Sequence, residues 1–249
     1  MPYGIYLSAA GADVQSQRME VLANNLANVN TAGFKRDFAV FQARHAEAIQ
    51  QGHDYPGSRS INDVGGGVFT RDTLTDYSAG TVQPTGIPTD LTIDGDGYFV
   101  VAKEGQEYLT RAGNFTFTAL GELVTQRGDP VMGDGGPVTI NPALPWEITG
   151  NGSVRQAGTE VALAIRRPAF IGDLVKMGEN LFSPLSPPVD VPAGQRRVRQ
   201  GYLELSNVKP TREMMELIET SRAFEANTRL IQNQDHVMGA LINRVLRQA

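Results

Sequence analysis

The sequence contains no cysteine. Disulfides and thiolate metal sites are therefore excluded, and the chain can work in reducing or oxidising surroundings alike. Histidine is scarce as well: His45, His53 and His236 are scattered, and no pair has the spacing of a zinc-binding helix. No stretch approaches the roughly 20 apolar residues that a membrane-crossing helix needs. The opening residues carry no basic lead, no long apolar core and no convincing cleavage site, so no cleaved signal peptide is expected. A basic surplus is missing too. With Lys+Arg at 22 against Asp+Glu at 27, the formal net charge of −5 gives no basis for a nucleic-acid partner.

What is present divides the chain into parts of different periodicity. Residues 2 to about 30 read as helix, with Ile5, Ala9, Ala12, Ser16, Met19, Ala23 and Leu26 alternating at four and three. Most of these side chains are small, which would let a partner helix come close. Gly33 reads as a stop signal after it. Phe34, Phe38 and Phe41, again at four and three, suggest a short further helix, and the polar, glycine-rich stretch 51–67 reads as a loop. From about 86 to 205, short apolar runs alternate with turn dipeptides at roughly ten-residue intervals, the rhythm of an all-β domain.

From about 208 the helical pattern returns. Met214, Leu217, Ser221, Phe224, Thr228, Ile231, Asp235, Met238, Ile242 and Val245 sustain a heptad seam for more than about four heptads. The polar members, Ser221, Thr228 and Asp235, cost stability in a buried seam but can fix register. A second apolar line, Met215, Ile218, Ala226, Leu230, Val237 and Leu241, widens the face and implies more than one packing partner. Ser206, Asn207 and Pro210 read as an N-cap and a first-turn proline. The expected fold class is α+β: a central all-β domain flanked by terminal helices that form a coiled-coil layer.

Chemistry-bearing patterns are weak. Asp90, Asp94 and Asp96 precede Gly97, but placing that glycine at position 6 of a calcium loop puts Thr92 and Lys103 where ligands belong. A turn between strands explains them better. Gly65, Gly66 and Gly67 lack the lysine of a phosphate loop, and no nucleophile-elbow motif occurs. No catalytic, metal or cofactor site is expected, and the chain is not expected to be an enzyme. A cell-wall glycan hydrolase would need paired carboxylates in a cleft. A soluble monomeric binding domain would need both helices packed within the molecule.

Two terminal segments carry a resemblance. ANNLANVNTAGFKR (23–36) and LELSNVKPTREMMELIETSRAFEANTRLIQNQD (203–235) resemble the N- and C-terminal signatures of the bacterial flagellar rod and hook protein family. DLTIDGDGYFVV (90–101) and YLTRAGNFTFTALGELVTQRGDPVMG (108–133) are similar to its β region, so the resemblance spans nearly the whole chain. Length and the single compact β region resemble the rod members more than the larger hook member; the short stretch between the N-terminal helix and the β region, with SNVKP (206–210) and VMGDGGP (131–137), resembles the proximal rod member more than the distal one.

The resemblance implies a structural subunit of the basal-body rod. Such subunits are exported by the flagellar type III apparatus without signal cleavage and polymerise with themselves and other rod proteins into a periplasm-spanning tube. It implies an inner coiled-coil layer from residues 1–35 plus 206–249, a connecting region at 36–85 and an outer β domain at 86–205. The assembly interface is expected at Ile5, Ala12, Met19, Leu22, Asn25, Leu26, Asn28 and Phe34. On the C-terminal side it is expected at Met214, Leu217, Phe224, Ile231, Met238 and Ile242.

Overall fold

The computed structural model describes residues 2–45, 47–55, 57–58, 65–141 and 143–246. Within the glycine-rich stretch 51–67, residues 56 and 59–64 lie outside the described residues. A helix opens the chain, a mostly β region follows, and a longer helix closes it, so the architecture is α+β. The chain forms two compact units. The first comprises Met1–Ala27, Asp37–Asp76 and Lys209–Ala249, and the second Asn28–Arg36 and Tyr77–Val208.

The first unit holds α1 (Pro2–Ala27), β1 (Asp37–Ala43), the one-turn α2 (Glu47–Gln50), β2 (Val68–Thr75) and α3 (Pro210–Leu246). α3 begins as its sequence dictates, with proline at its first position, Glu213 in the first turn and Arg244 in the last. α1 stops at Ala27, where asparagines crowd the chain and favour turns over helix. Gly33 therefore does not end the helix; its left-handed φ of 68° serves a different purpose, described below.

The helix expected through Phe38 and Phe41 is a strand. β1 pairs antiparallel with β2, from Asp37 opposite Thr75 to Ala43 opposite Val68, with a register shift between Val40 and Phe41. Aromatic and β-branched residues favour that pleated pairing, whereas a short isolated helix would gain too few bonds to offset its nucleation cost. The ribbon packs on α1. A Cβ added at Gly67 would stand 3.3 Å from Ala10 Cβ, and Arg44 reaches the Tyr6 hydroxyl at 3.4 Å.

The second unit is built on a six-stranded antiparallel sheet. Its order is Leu174–Gly178, Leu181–Pro184, β3 (Gln106–Thr110), β4 (Tyr98–Lys103), Ile165–Arg167 and Val189–Asp190. Both faces of β4 are buried, in keeping with the period of two: Phe99 and Val101 enter one core cluster, Tyr98 and Val100 the other. Each such fully buried side chain contributes about 1.5–3 kcal/mol. Phe99 meets Phe115 edge-on at 5.2 Å, and Tyr98 meets Phe182 at 5.9 Å. The turn expected at Asp94–Gly97 joins Leu91–Ile93 to β4.

Candidate assembly interface

α1 and α3 run antiparallel, and three contacts define their register. Asn25 Nδ2 donates to Glu213 Oε2 at 3.2 Å. A Cβ added at Gly11 would lie 3.0 Å from Asn227 Oδ1, and one at Gly4 would lie 2.9 Å from Gln234 Nε2. The covered line on α3 is a heptad seam whose apolar positions are Leu217, Phe224, Ile231 and Met238. Its other positions are polar: Glu213, Thr220, Asn227 and Gln234. The polar layers thus stand one residue before Ser221, Thr228 and Asp235. Thr228 instead turns its hydroxyl back to Phe224 O at 2.6 Å, and Asp235 is exposed. On α1 the covered line runs through Gly4, Ser8, Gly11, Gln15, Arg18, Leu22 and Asn25.

That register decides where the expected interface residues fall. Leu22 and Asn25 are buried. Ile5, Ala12, Met19, Leu26, Leu217, Phe224, Ile231 and Met238 are half-buried, while Met214 and Ile242 are 50% and 55% exposed. Asn28 and Phe34 belong to the second unit. The second apolar line of α3 is open to solvent: Met215, Ile218, Leu230, Val237 and Leu241 are each at least 50% exposed.

Asn25 bonds to two elements beyond its own helix. Its Oδ1 accepts from Asp37 N at 2.9 Å and its Nδ2 donates to Asp37 O at 2.7 Å, so one side chain satisfies both backbone groups where β1 begins. The Asp37 carboxylate in turn accepts from Thr75 Oγ1 at 2.7 Å across the ribbon. Helix, ribbon and the first turn of α3 are thereby joined at one residue of the N-terminal signature.

The rest of that signature folds into the second unit. Lys35 Nζ is 2.7 Å from Glu204 Oε1 and 2.8 Å from Ser78 O, with the lysine 1% exposed. The other oxygen, Glu204 Oε2, accepts from Arg111 Nη1 at 3.3 Å, and Arg111 also stacks over the Tyr98 ring. Burial pushes the Tyr98 hydroxyl from its usual 10.0 up to about 12, against the opposing pull of the Arg111 charge. Phe34 is buried under Lys176, whose Nζ stands 4.0 Å from the ring centroid. Gly33 explains itself here: a Cβ on it would strike Ala112 N and Arg111 C at 2.4 Å.

The C-terminal signature corrects one expectation. α3 starts at Pro210, so Ser206 is not its N-cap; the Ser206 hydroxyl accepts from Val208 N at 3.2 Å in a tight turn. Asn207 Oδ1 accepts from Arg36 N at 2.7 Å, and Asn207 N donates to Phe34 O at 3.3 Å. The proline keeps its expected place in the first turn.

Sequence reasoning missed Glu204, Lys35, Arg111 and Glu213, because charged residues default to solvent and nothing local marks these as paired. One signal was readable: Gly4 and Gly11 are spaced as Asn227 and Gln234 are. A cavity of about 540 Å³ in the second unit is lined by residues such as Leu120, Ile140, Asn141, Gln156 and Val161, and among the described residues that line it none is a carboxylate. It offers no acid–base pair.

Three family profiles match in chain order. They are described as flagella basal body rod protein (residues 5–35), flagellar hook protein FlgE/F/G D1 domain (92–159) and flagellar basal body rod FlgEFG protein C-terminal (199–244). Among curated relatives, the flagellar basal-body rod protein FlgF of Caulobacter vibrioides is 32% identical over 250 residues, covering 98% of each chain. FlgG of Bacillus subtilis is 31% identical over 261 residues, covering 96% of this chain and 97% of its own. FlgG of Agrobacterium fabrum is 33% identical over 258, covering 97% and 98%. The matched segments contain the Asn25 junction, the β4 core and the α3 seam, and with near full-length relatives above 30% identity this chain belongs to the flagellar basal-body rod protein family.

Proposed function

We propose that this chain is a structural subunit of the bacterial flagellar basal-body rod, polymerising with copies of itself and with other rod proteins through its terminal helices. The observation that carries the reading is the solvent-open apolar line of α3, from Met215 and Ile218 to Leu230, Val237 and Leu241. An exposed apolar line of this length on a 37-residue helix marks an interaction surface. α1 adds Ile5, Ala12, Met19 and Leu26, half-buried beside the seam rather than within it. A subunit that buries these stripes on neighbours through a non-closing, head-to-tail contact grows into an open filament.

In this reading the first unit's helices supply the inner layer of the tube and the second unit the outer layer. The role is structural and not enzymatic. The chain resides in the basal body and reaches it through the flagellar type III export apparatus. Length favours the proximal member, FlgF, over the distal member, FlgG: alignment with the Caulobacter FlgF spans 250 residues, whereas those with FlgG relatives run from 258 to 277.

The test is Ile218→Asp and Leu230→Asp, made singly. Each should abolish incorporation into rods in cells lacking the parent chain, while the purified variant keeps the Trp146 fluorescence of a folded second unit. Rod assembly at parental levels by either variant would show that this line is not the interface. A parent chain that stays monomeric at every concentration and never joins rods would favour a soluble binding domain instead.

A further inference from the structure

We infer that the Gly4–Gln234 and Gly11–Asn227 layers form a register lock, which selects one alignment of α1 on α3 from several that the apolar row of α3 would accept. The need for a lock follows from the apolar line of α3. Leu217, Phe224, Ile231 and Met238 recur every seven residues and are of similar size. Sliding α1 by one heptad in either direction still sets most of Ser8, Gln15 and Leu22 against one of these apolar residues. Hydrophobic contact is non-directional and leaves these alignments nearly degenerate.

The polar layers break the degeneracy. From Asn25 to Gly11 to Gly4 the sequence steps back by fourteen and then seven residues, and from Glu213 to Asn227 to Gln234 it advances by the same steps. Asn227 and Gln234 each lie against a glycine, where the missing Cβ leaves room for an amide. Shift α3 one heptad one way and Asn227 moves onto Gly4 while Gln234 runs past the last glycine. Shift it the other way and Gln234 moves onto Gly11 while Asn227 meets the long side chain of Arg18. Only the observed register seats both amides on glycines and also places Asn25 against Glu213.

The layers are not there for stability. Gln234 Oε1 and Gln15 Oε1 are buried and find no hydrogen-bond partner among the described residues. Asn227 Nδ2 returns to its own helix, donating to Ala223 O at 3.0 Å. Two glycines inside α1 cost about 0.5–1 kcal/mol each relative to alanine. Features that lower stability while restricting alignment have the signature of a specificity device, as polar seam residues do in coiled coils.

The cysteine-free chain suits a crosslinking test. The seven-residue step sets Ser8 opposite Ile231 in the observed register, opposite Phe224 after one slip and opposite Met238 after the other. Cysteine pairs S8C/I231C, S8C/F224C and S8C/M238C in the full-length chain report the three alignments under mild oxidation. With Asn227 and Gln234 intact, the first pair should form a disulfide at least tenfold faster than the other two. In an Asn227→Ala/Gln234→Ala background that preference should fall below about threefold. Retention of the full tenfold preference without the two amides would overturn the lock, and so would slipped pairs dominating the parent. A second measurement needs no crosslink. Gly11→Leu should speed proteolysis of α1 several-fold, and adding Asn227→Ala should restore most of the protection; absence of that compensation would also overturn the lock. Rod assembly enters neither readout, so a failed lock and a failed subunit reading are distinguishable.

Discussion

Asn25 and Glu213, 188 residues apart in sequence, meet at 3.2 Å with both side chains fully excluded from solvent. One lies two residues before the end of α1 and the other in the first turn of α3. Asn25 also closes both backbone bonds of Asp37. The base of the helix pair and the start of the ribbon therefore depend on one amide that must both donate and accept.

Asn25→Ala should destabilise the first unit by about 2–4 kcal/mol, since it removes a hydrogen-bond partner from two buried backbone groups and from a buried carboxylate. Asn25→Asp keeps the shape but replaces the donor with a second carboxylate facing Glu213 and Asp37 O, so it should cost more than alanine at neutral pH. Its deficit should shrink as pH falls, because a protonated carboxyl can donate where the amide did. Urea unfolding followed by helical circular dichroism at pH 7 and pH 4.5 measures both. Equal stability of the aspartate variant at the two values would show that the donor at this position is unimportant.

The Lys35–Glu204–Arg111 cluster makes a separate prediction for the second unit. Glu204 accepts from both cations and from Gly80 N at 2.9 Å, all beneath the surface. Glu204→Gln removes the only anion of the triad and leaves two buried cations facing a neutral amide. The loss should be about 3–5 kcal/mol, the usual cost of breaking a buried pair from one side. Lys35→Met/Glu204→Gln should recover part of it, because one of the two buried cations goes too. Denaturant titration monitored at Trp146 reads both variants. A double variant no better than the single one would mean that the cations do not share the carboxylate's stabilisation.

Much of this layout was legible in the sequence. The two helices announce themselves by periodicity, and the strands by short apolar runs between turns. What was not legible depends on contacts across large sequence separations. Apolar spacing alone starts the seam of α3 at Met214. The buried line begins instead at Glu213, since Gly4, Gly11 and Asn25 on α1 accept polar partners. Phe38 and Phe41 carry helical spacing by accident, and the partner that makes them a strand lies beyond α2. Lys35 and Glu204 look like surface charges until the fold places them 2.7 Å apart.

Gly33 gives a sharp steric prediction. Its φ of 68° lies in the left-handed region, and a Cβ there would meet backbone atoms of Arg111 and Ala112 at 2.4 Å. Backbone cannot rotate away as a long side chain can. Gly33→Ala should therefore cost at least about 3 kcal/mol, combining a left-handed penalty of about 1 kcal/mol with displacement of the β3 end. Gly86→Ala is the control: its φ of 71° is similar, yet nothing stands within 4 Å, so it should lose only about 1 kcal/mol. Thermal unfolding of the two variants side by side separates strain from crowding.

Tyr98 sets the alkaline limit of the second unit. Burial holds its hydroxyl at about 12 in the folded chain against 10.0 when exposed, despite the nearby Arg111 guanidinium. The folded state thus keeps its proton over a range in which the unfolded state releases it. A group with a raised folded pKa contributes its full stability below pH 10, and that contribution is lost as pH rises from 10 towards 12. At pH 11.5 the loss from this one group should be about 2 kcal/mol, from the usual worth of a pKa unit. Tyr98→Phe keeps the ring against Phe182 and removes the titration. Unfolding midpoints at pH 9 and pH 11.5 should therefore fall less in Tyr98→Phe than in the parent, since every other titrating group is common to both. Identical falls would mean that the Tyr98 hydroxyl reaches water in the folded protein, and the packing of β4 against Phe182 and Arg111 would then be looser than described.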